Sequence, residues 1–593
     1  MDDEPLINFK KDNTDVIVGA RLIIGYLGLF MMVAGIIVLI PLITLIYYYN
    51  CFYAWWYYLV PGCCCFIIGF PLYLLIRKKN VGKLKTTEAM FLTITIWVIA
   101  ILVNAIPFLI WGRVGGYNYL EEVSSLDAFK EAGFTVSEKS ITIFSKTYYY
   151  VNGGKSNPFY HFTQSVYESA SGFSSSGLTL LPTTIIENET LNYNFNFFTY
   201  NANDLSEFLP GTEIFQFHRA FMSLIGGVGL VLILTSALSD KSSFQIYLLE
   251  GHSDKLMPNL AKSARSMFLI YIIFILSGTI CYTFCGMTFF DALCYSMAAV
   301  STGGFATHAT SLTFFEIALG KGRAIAIEII TIILMFLGAT SFLIHHFLAK
   351  RKFKKAILHY ENLSFLLFAL LFIPLMSYGL STPGYDNYYN GFESFRHGCF
   401  EFFSFITTTG FSTIHSYNQG SIAPITYMVL VILPFIGGMG GSTAGGIKQY
   451  RICEDFIAVK ESLLKKIRKQ EVVHTTFIYK YGEKVPITTT SMRESLNYST
   501  LYVFFVLLFT LIPVLTGYSF SDSLFEISSA FAGLGATSGL SLQASMSCHY
   551  GVLWSIILSM FLGRLEIVVV LVVFIKGYQD LRVKRHRVND YIN

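Results

Sequence analysis

The chain has 593 residues, of which 53% are hydrophobic and 13% charged, and its mean hydropathy is +0.54. A soluble protein usually carries about 25% charged residues, so the polar groups here are too few to cover a globule and a soluble fold is excluded. The net charge of +4 says little by itself and indicates no nucleic-acid partner.

Residues 1–15 carry charges of both signs, and the apolar run behind them is too long for the core of a cleavable signal peptide. A stretch of about 20 apolar residues crosses a bilayer, and ten such spans are predicted, at 17–48, 53–76, 86–112, 214–238, 266–286, 324–348, 363–381, 423–447, 497–516 and 550–575. The first is longer than one crossing needs and should tilt or project from the bilayer. Lys and Arg collect at 77–85, 350–355, 448–493 and 576–587, whereas 181–217 holds five acids and no Lys or Arg. By the positive-inside rule the basic segments and both termini are cytoplasmic, as an even number of spans permits. Topology accounts for these clusters; a docking surface for a cytosolic partner is the alternative. Cys63, Cys64, Cys65, Cys281 and Cys285 fall within spans, and no Cys/His spacing suits zinc or a disulfide framework.

After the first two spans, the remaining eight pair around four short runs: 168–177 (ESASGFSSSG), 295–304 (YSMAAVSTGG), 401–410 (EFFSFITTTG) and 526–535 (EISSAFAGLG). Each run ends in Gly nine residues after its first position, and three of the four begin with Glu. Asp291 and Asp522 each lie thirteen before the Gly of their run, a second register mark. Gly539, in ATSGL, is an alternative to Gly535, but it breaks both spacings. The segments before these glycines are too short to cross a membrane, so each reads as a half-helix followed by irregular backbone that surrounding protein must satisfy. Glycine can take φ > 0 without Cβ clashes, and rings of backbone carbonyls replace the water shell of a small cation. The candidate selectivity filter is therefore Ser175, Ser176 and Gly177; Thr302, Gly303 and Gly304; Thr408, Thr409 and Gly410; and Gly533, Leu534 and Gly535. Any single run has a packing explanation; four in register between apolar pairs point to an ion pathway.

Residues 435–451 read FIGGMGGSTAGGIKQYR, a poor helix because each Gly costs about 1 kcal/mol relative to Ala. A gate or hinge is expected at Gly437, Gly438, Gly440, Gly441, Ser442, Thr443, Gly445, Gly446 and Lys448, with a close helix crossing as the alternative. No Gly-Lys-Ser/Thr follows, so this is not a nucleotide loop. Arg564 and Glu566 lie within the last span, where charges usually face a bundle interior or a watery cavity. Arg564 could form an electrostatic barrier in the path, or pair with Glu566 and tie helices together. Arg219 is expected to pair with a carboxylate such as Glu168.

With SGFSSSGLT (171–179), STGGFAT (301–307), TTTGFST (407–413), GGMGGSTAGGIK (437–448) and GRLEI (563–567), residues 86–580 resemble the membrane subunit of the Trk/Ktr/HKT superfamily of potassium transporters, and the bacterial Trk type in particular. The resemblance implies an all-α polytopic membrane protein of four span–pore-loop–span repeats around a pseudo-fourfold pore, with two extra N-terminal transmembrane helices. It divides the chain into the N-terminal pair and a basic loop (1–85), repeats at 86–240, 262–350, 360–450 and 496–576, a basic cytoplasmic loop (451–495) and a tail (577–593). It further implies K⁺ bound in the filter, the 437–446 loop as gate, Arg564 as the charge beneath the filter, a homodimer in the lipid bilayer of the bacterial inner membrane, and a separate cytosolic nucleotide-binding regulatory subunit. Within the family, Ser at the position of Gly177 tends to mark sodium permeation, so Gly here implies potassium preference. Two extracytoplasmic inserts, 115–156 and 187–213, depart from the pattern, as does the degenerate fourth run. The competing readings are a proton- or sodium-coupled K⁺ symporter, a pore less selective between K⁺ and Na⁺, and a non-conducting sensor. No motif for a membrane enzyme is legible.

Overall fold

Apolar runs bounded by charge become long helices, because in lipid a chain must satisfy its backbone hydrogen bonds within each segment. In the computed structural model, the residues described are 17, 19–77, 84–113, 118–122, 135–143, 146–152, 161–180, 212–229, 260–467 without 309, 415, 418 and 419, and 476–592 without 548. Helices α1 (Ala20–Leu39) and α2 (Trp55–Leu74) form an antiparallel hairpin. They cross closely because a Cβ on Gly28 or Gly69 would press on the other's carbonyl, and one on Gly35 would meet that of Gly62. Small residues provide this kind of contact where lipid offers no hydrophobic drive. Helix α3 (Thr86–Arg113) packs against both.

The 115–156 insert contains a three-stranded antiparallel sheet, in the order β1 (Asn118–Glu122), β3 (Lys146–Asn152), β2 (Thr135–Ile143). The all-α expectation thus holds for the membrane part, with this sheet and a hairpin, β4 (Phe477–Lys480) and β5 (Glu483–Pro486), added outside it. Most of the second insert, 187–211, lies outside the described residues.

Four short helices end at the glycine runs: α4 (Phe162–Ser174), α7 (Phe289–Val300), α11 (Phe392–Ile406) and α15 (Phe520–Ala532). Each is preceded by a long helix: α3, α6 (Leu260–Phe284), α10 (Tyr360–Leu380) and α14 (Thr489–Leu515). Each is followed by an inner one: α5 (Glu213–Val228), α8 (Lys321–Ala339), α12 (Pro424–Ile436) and α16 (Tyr550–Arg564). The short helices also touch the inner helix of a neighbouring unit in rotation, α4 on α16, α7 on α5, α11 on α8 and α15 on α12.

The inner helices differ from the ten continuous spans expected. Among the described residues seven helices are long and apolar enough to cross a membrane, or eight if a bent pair counts as one. Span 324–348 breaks at Thr340 and Ser341 before α9 (Phe342–Ala349). Span 423–447 stops at Ile436 and resumes as α13 (Gln449–Lys465) after the glycine-rich loop. Span 550–575 bends by 102° between α16 and α17 (Ile567–Ile592), where Glu566 takes φ 57°. The half of span 214–238 beyond Gly229 lies outside the described residues. The breaks after α8 and α16 follow one kind of contact, which α5 also makes. A Cβ on Gly226, Gly338 or Gly563 would strike the carbonyl of Phe173, Val300 or Phe531, each four residues before the glycine of its run. The inner helices are thus drawn against the ends of the short ones and leave their straight course just beyond.

Candidate functional site

All four short helices end in the same cap. The residue two before the glycine takes a left-handed conformation: Ser175 (φ 54°), Thr302 (φ 51°), Thr408 (φ 53°) and Gly533 (φ 66°). Its N–H bonds back to the carbonyl of Gly172, Ala299, Phe405 or Ala530 at 3.0–3.2 Å. The next N–H, of Ser176, Gly303, Thr409 or Leu534, reaches Ser171, Ala298, Ser404 or Ser529 at 2.8–3.0 Å. This paired arrangement closes a helix C-terminus and satisfies its last carbonyls. Three of the left-handed positions are not Gly, which costs about 1–3 kcal/mol each unless surrounding contacts hold them. Ser175 Oγ donates to Ser223 O (3.1 Å), and Thr408 Oγ1 accepts from Gly445 N (2.8 Å).

The glycines follow with φ 73° (Gly177), 61° (Gly304), 88° (Gly410) and 89° (Gly535). Each abuts the next strand in rotation. A Cβ on Gly177 would collide with the carbonyl oxygen of Gly303, one on Gly304 with Thr409, one on Gly410 with Leu534, and one on Gly535 with Ser176. The four turns therefore close a ring in which no side chain is tolerated at the glycines. Gly539, the alternative in the fourth run, has open space around it and starts the short helix Leu540–Met546.

Buried carboxylates fasten the backbone beyond each turn. Glu168 accepts from Thr179 Oγ1 (3.0 Å) and Leu180 N (3.3 Å). Glu401 accepts from Thr413 N (2.8 Å) and Tyr417 OH (2.7 Å), and Glu526 from Thr537 Oγ1 (2.9 Å) and Ser538 N (3.0 Å). All three are fully buried. In the second unit Tyr295 takes the Glu position, and Asp291, one helical turn earlier, accepts from Thr307 Oγ1 at 2.5 Å. Thr288 and Ser519 cap two of the short helices, Thr288 Oγ1 and Ser519 Oγ accepting from the N–H groups of Asp291 and Asp522 at 3.1 Å, so the thirteen-residue mark lies in the first turn of a helix. Arg219 Nε lies 2.8 Å from Glu168 Oε1, the partner expected. The sequence placed Glu168, Glu401 and Glu526 behind the filter as structural anchors but missed their hydroxyl partners, for which a signal was there: Thr179, Thr307, Thr413 and Thr537 each stand two or three places after a turn glycine.

Residues 437–448 form a loop under these turns. Gly437, Gly441, Gly446 and Lys448 have φ between 66° and 79°. Thr443 Oγ1 donates to Gly338 O (2.9 Å) and accepts from Thr302 Oγ1 (3.2 Å), while Ser442 Oγ donates to Met439 O (2.6 Å). A Cβ on Gly445 would strike Ala532 O, and one on Gly438 would crowd Ala444. Gly440 N donates to Glu361 Oε1 at 2.8 Å, a second contact the sequence did not reveal. Arg564 donates to the carbonyls of Thr443 (2.9 Å), Gly227 (2.9 Å) and Gly226. Glu566 pairs instead with Arg451 (2.8 Å), so the structure does not make Arg564 and Glu566 each other's partner. Residues of the loop and of the turns, among them Ser174, Gly445, Ala532, Gly533 and Arg564, border a small cavity.

Comparison with known proteins gives a consistent result. Residues 131–583 match the family model TrkH, described as cation transport protein. The chain is 27% identical to an uncharacterized cation transporter of Methanocaldococcus jannaschii over 71% of this chain and 77% of that one. It is also 27% identical to the Trk system potassium uptake protein TrkG of Escherichia coli, over 70% and 78% of the two chains. The TrkH protein of Halomonas elongata is 27% identical over 70% and 79%. The crystal structure of the potassium transporter TrkH from Vibrio parahaemolyticus superposes with a TM-score of 0.67, covering 94% of this chain and 98% of that one at 20% identity, which speaks to the fold.

Proposed function

Because the chain belongs to the TrkH family of cation transport proteins, whose members are membrane transporters and not enzymes, we propose that it is a gated, potassium-selective pore for K⁺ uptake, with a filter of backbone carbonyls at the four glycine turns. The observation that carries this reading is the closed ring: four helix caps of one geometry, each turn glycine set against the carbonyl of the next strand. Such a ring offers oxygen from the backbone, fixed by buried clamps, as a cation that sheds its hydration shell requires. The filter residues are Ser175–Gly177, Thr302–Gly304, Thr408–Gly410 and Gly533–Gly535, and K⁺ is the cargo. The names of the relatives, potassium uptake proteins in two bacteria, support K⁺ over other cations.

Two groups regulate passage in this account. The loop 437–448 blocks the route below the filter and opens when its hydrogen bonds to α8, Thr302 and Thr408 are exchanged. Arg564 holds that loop to the carbonyls at the end of α5 and places a positive charge by the path, which keeps a cation from resting there. The carboxylates Glu168, Glu401 and Glu526 are engaged in holding backbone, which favours a pore over a symporter using carboxylates at the midplane. The membrane potential supplies about 2.3 kcal/mol per charge per 100 mV, a sufficient driving force for accumulation. The family resemblance adds a homodimer in the bacterial inner membrane, regulated by a separate cytosolic nucleotide-binding subunit, and the placement of Lys and Arg puts both termini in the cytoplasm. Flux of K⁺ and Na⁺ into liposomes holding the purified chain, at a voltage set by an ionophore, tests the proposal. K⁺ flux that follows voltage with Na⁺ far slower is expected. Flux that follows a proton or sodium gradient at constant voltage would favour the symporter instead.

A further inference from the structure

A cavity of about 260 Å³ lies between α10, α13, the β4–β5 hairpin and the start of α14, and no residue of the glycine turns lines it. The Lys and Arg clusters place this face in the cytoplasm. Three tyrosines, Tyr360, Tyr450 and Tyr481, and two carboxylates, Glu361 and Glu454, stand in its wall, and Gly440 of the glycine-rich loop forms part of it. The aromatic surface is continuous: the His359 ring stacks on Tyr360 with centroids 4.9 Å apart and leans on Tyr481 at 4.4 Å. Both carboxylates are almost fully buried, at 2% exposure for Glu361 and 9% for Glu454. Glu361 uses Oε1 for Gly440 N, with Oε2 3.7 Å from His359 Nδ1. Glu454 uses Oε2 for Ser491 Oγ (2.8 Å) and Ser495 Oγ (2.5 Å). A carboxylate has about four acceptor sites, so Glu454, which holds both hydroxyls on one oxygen, retains capacity toward a further donor. Lys480, the cavity's lysine, has its ammonium 6.0 Å from the Tyr481 ring centroid, on the hairpin.

Aromatic faces beside carboxylates are the chemistry that recognises an ammonium group, and a cavity of this size suits a small molecule better than a bare metal ion. We propose that this cavity is a cytoplasmic binding site for a small organic ammonium ion, and that its occupant acts on the loop by competing with the Gly440 N–H for the Glu361 carboxylate. The coupling rests on the reading of the 437–448 loop as the gate. Occupancy draws the carboxylate away from Gly440 and loosens one of the bonds that hold the loop closed, so K⁺ flux rises.

The test uses the full purified chain and ethylammonium chloride as probe, with n-propanol as the uncharged control. A saturable rise in thermal stability is expected with ethylammonium and not with propanol, lost in Tyr481→Ala and in Glu454→Gln. In liposomes, ethylammonium on the hairpin side should raise K⁺ flux severalfold at fixed voltage, and Glu361→Gln should show the raised flux without the probe. Tyr481 lies on the hairpin, so its variant keeps the test open should Glu361→Gln fail to fold. Absence of saturable stabilisation, or an equal effect in Tyr481→Ala, overturns the site. A voltage-dependent block that survives Tyr481→Ala likewise overturns it, because the probe then acts in the pore. Deletion of 440–443 separates the two ideas. If the deletion raises flux while ethylammonium neither binds nor acts, the gate stands and the site falls. If ethylammonium binds as described but neither it nor the deletion changes flux, the gate reading falls and takes the coupling with it.

Discussion

Gly177→Ser puts the filter reading at risk most sharply. The perturbation has two parts. Gly177 has φ 73°, where a serine is strained by about 1–3 kcal/mol. Its new Cβ would also run into the carbonyl oxygen of Gly303, and because that obstacle is backbone, no rotamer relieves it. The first and second strands must therefore separate, and the carbonyls that face a bound ion move with them. A factor of ten in selectivity corresponds to about 1.4 kcal/mol, within the range of the backbone strain alone and before the Cβ collision is added, so the K⁺/Na⁺ permeability ratio should fall by about tenfold or more. Ser175→Gly is the control: it removes a left-handed serine in the same strand without adding an atom, and the ratio should hold within about twofold. The assay is the reversal potential under bi-ionic K⁺/Na⁺ conditions, with correct insertion checked by gel filtration. An unchanged ratio in well-folded Gly177→Ser would refute the assignment of this strand to the filter.

Glu401→Gln replaces a fully buried carboxylate that accepts from Thr413 and Tyr417 with a neutral group, and hydrogen bonds to charged groups are worth about 1.5–3 kcal/mol each. A loss of about 2 kcal/mol in thermal unfolding is expected, together with weaker ion discrimination; a stability equal to the parent would contradict the clamp role. Arg564→Met removes the donors that join Thr443 to Gly226 and Gly227 and should raise basal K⁺ flux severalfold in the same liposomes, whereas lower flux would show that the guanidinium does not restrain the loop. Arg396→Met strands the buried Glu328 and the half-exposed Glu316, while Glu393 keeps Lys321, and breaking a buried pair such as Arg396–Glu328 typically costs about 3–5 kcal/mol. The melting temperature should drop accordingly, while selectivity in the surviving fraction stays unchanged; a selectivity change would place Arg396 in the ion path.

Much of the fold was legible because its signals are linear. Apolar runs report helices, and the spacing of Glu168, Glu401 and Glu526 to their glycines repeats because one carboxylate geometry is used three times. The breaks in the inner helices were hidden. FLGATSFLIHH reads as an uninterrupted span by hydropathy, and only the contact of Gly338 with Val300 O explains why the chain departs at Thr340. The same holds at Leu565, where the apolar span, interrupted only by Arg564 and Glu566, bends by 102°. The left-handed Ser175, Thr302 and Thr408 were also illegible as such, since serine and threonine rarely adopt that conformation and only the cap geometry demands it. Glu361 shows the limit most clearly. It sits at the start of a helix, 79 residues from Gly440, and nothing in its local sequence connects it to the loop it holds.

The most direct test of the central claim is ion density in the ring. An experimental structure in K⁺, repeated with Tl⁺ for its anomalous signal, should show a peak on the axis between Gly177, Gly304, Gly410 and Gly535, within coordinating distance of backbone carbonyls from all four strands. Replacing K⁺ by Na⁺ should weaken that peak. A peak instead at the side chains of Glu168, Glu401 or Glu526, with none between the four glycines, would contradict the account.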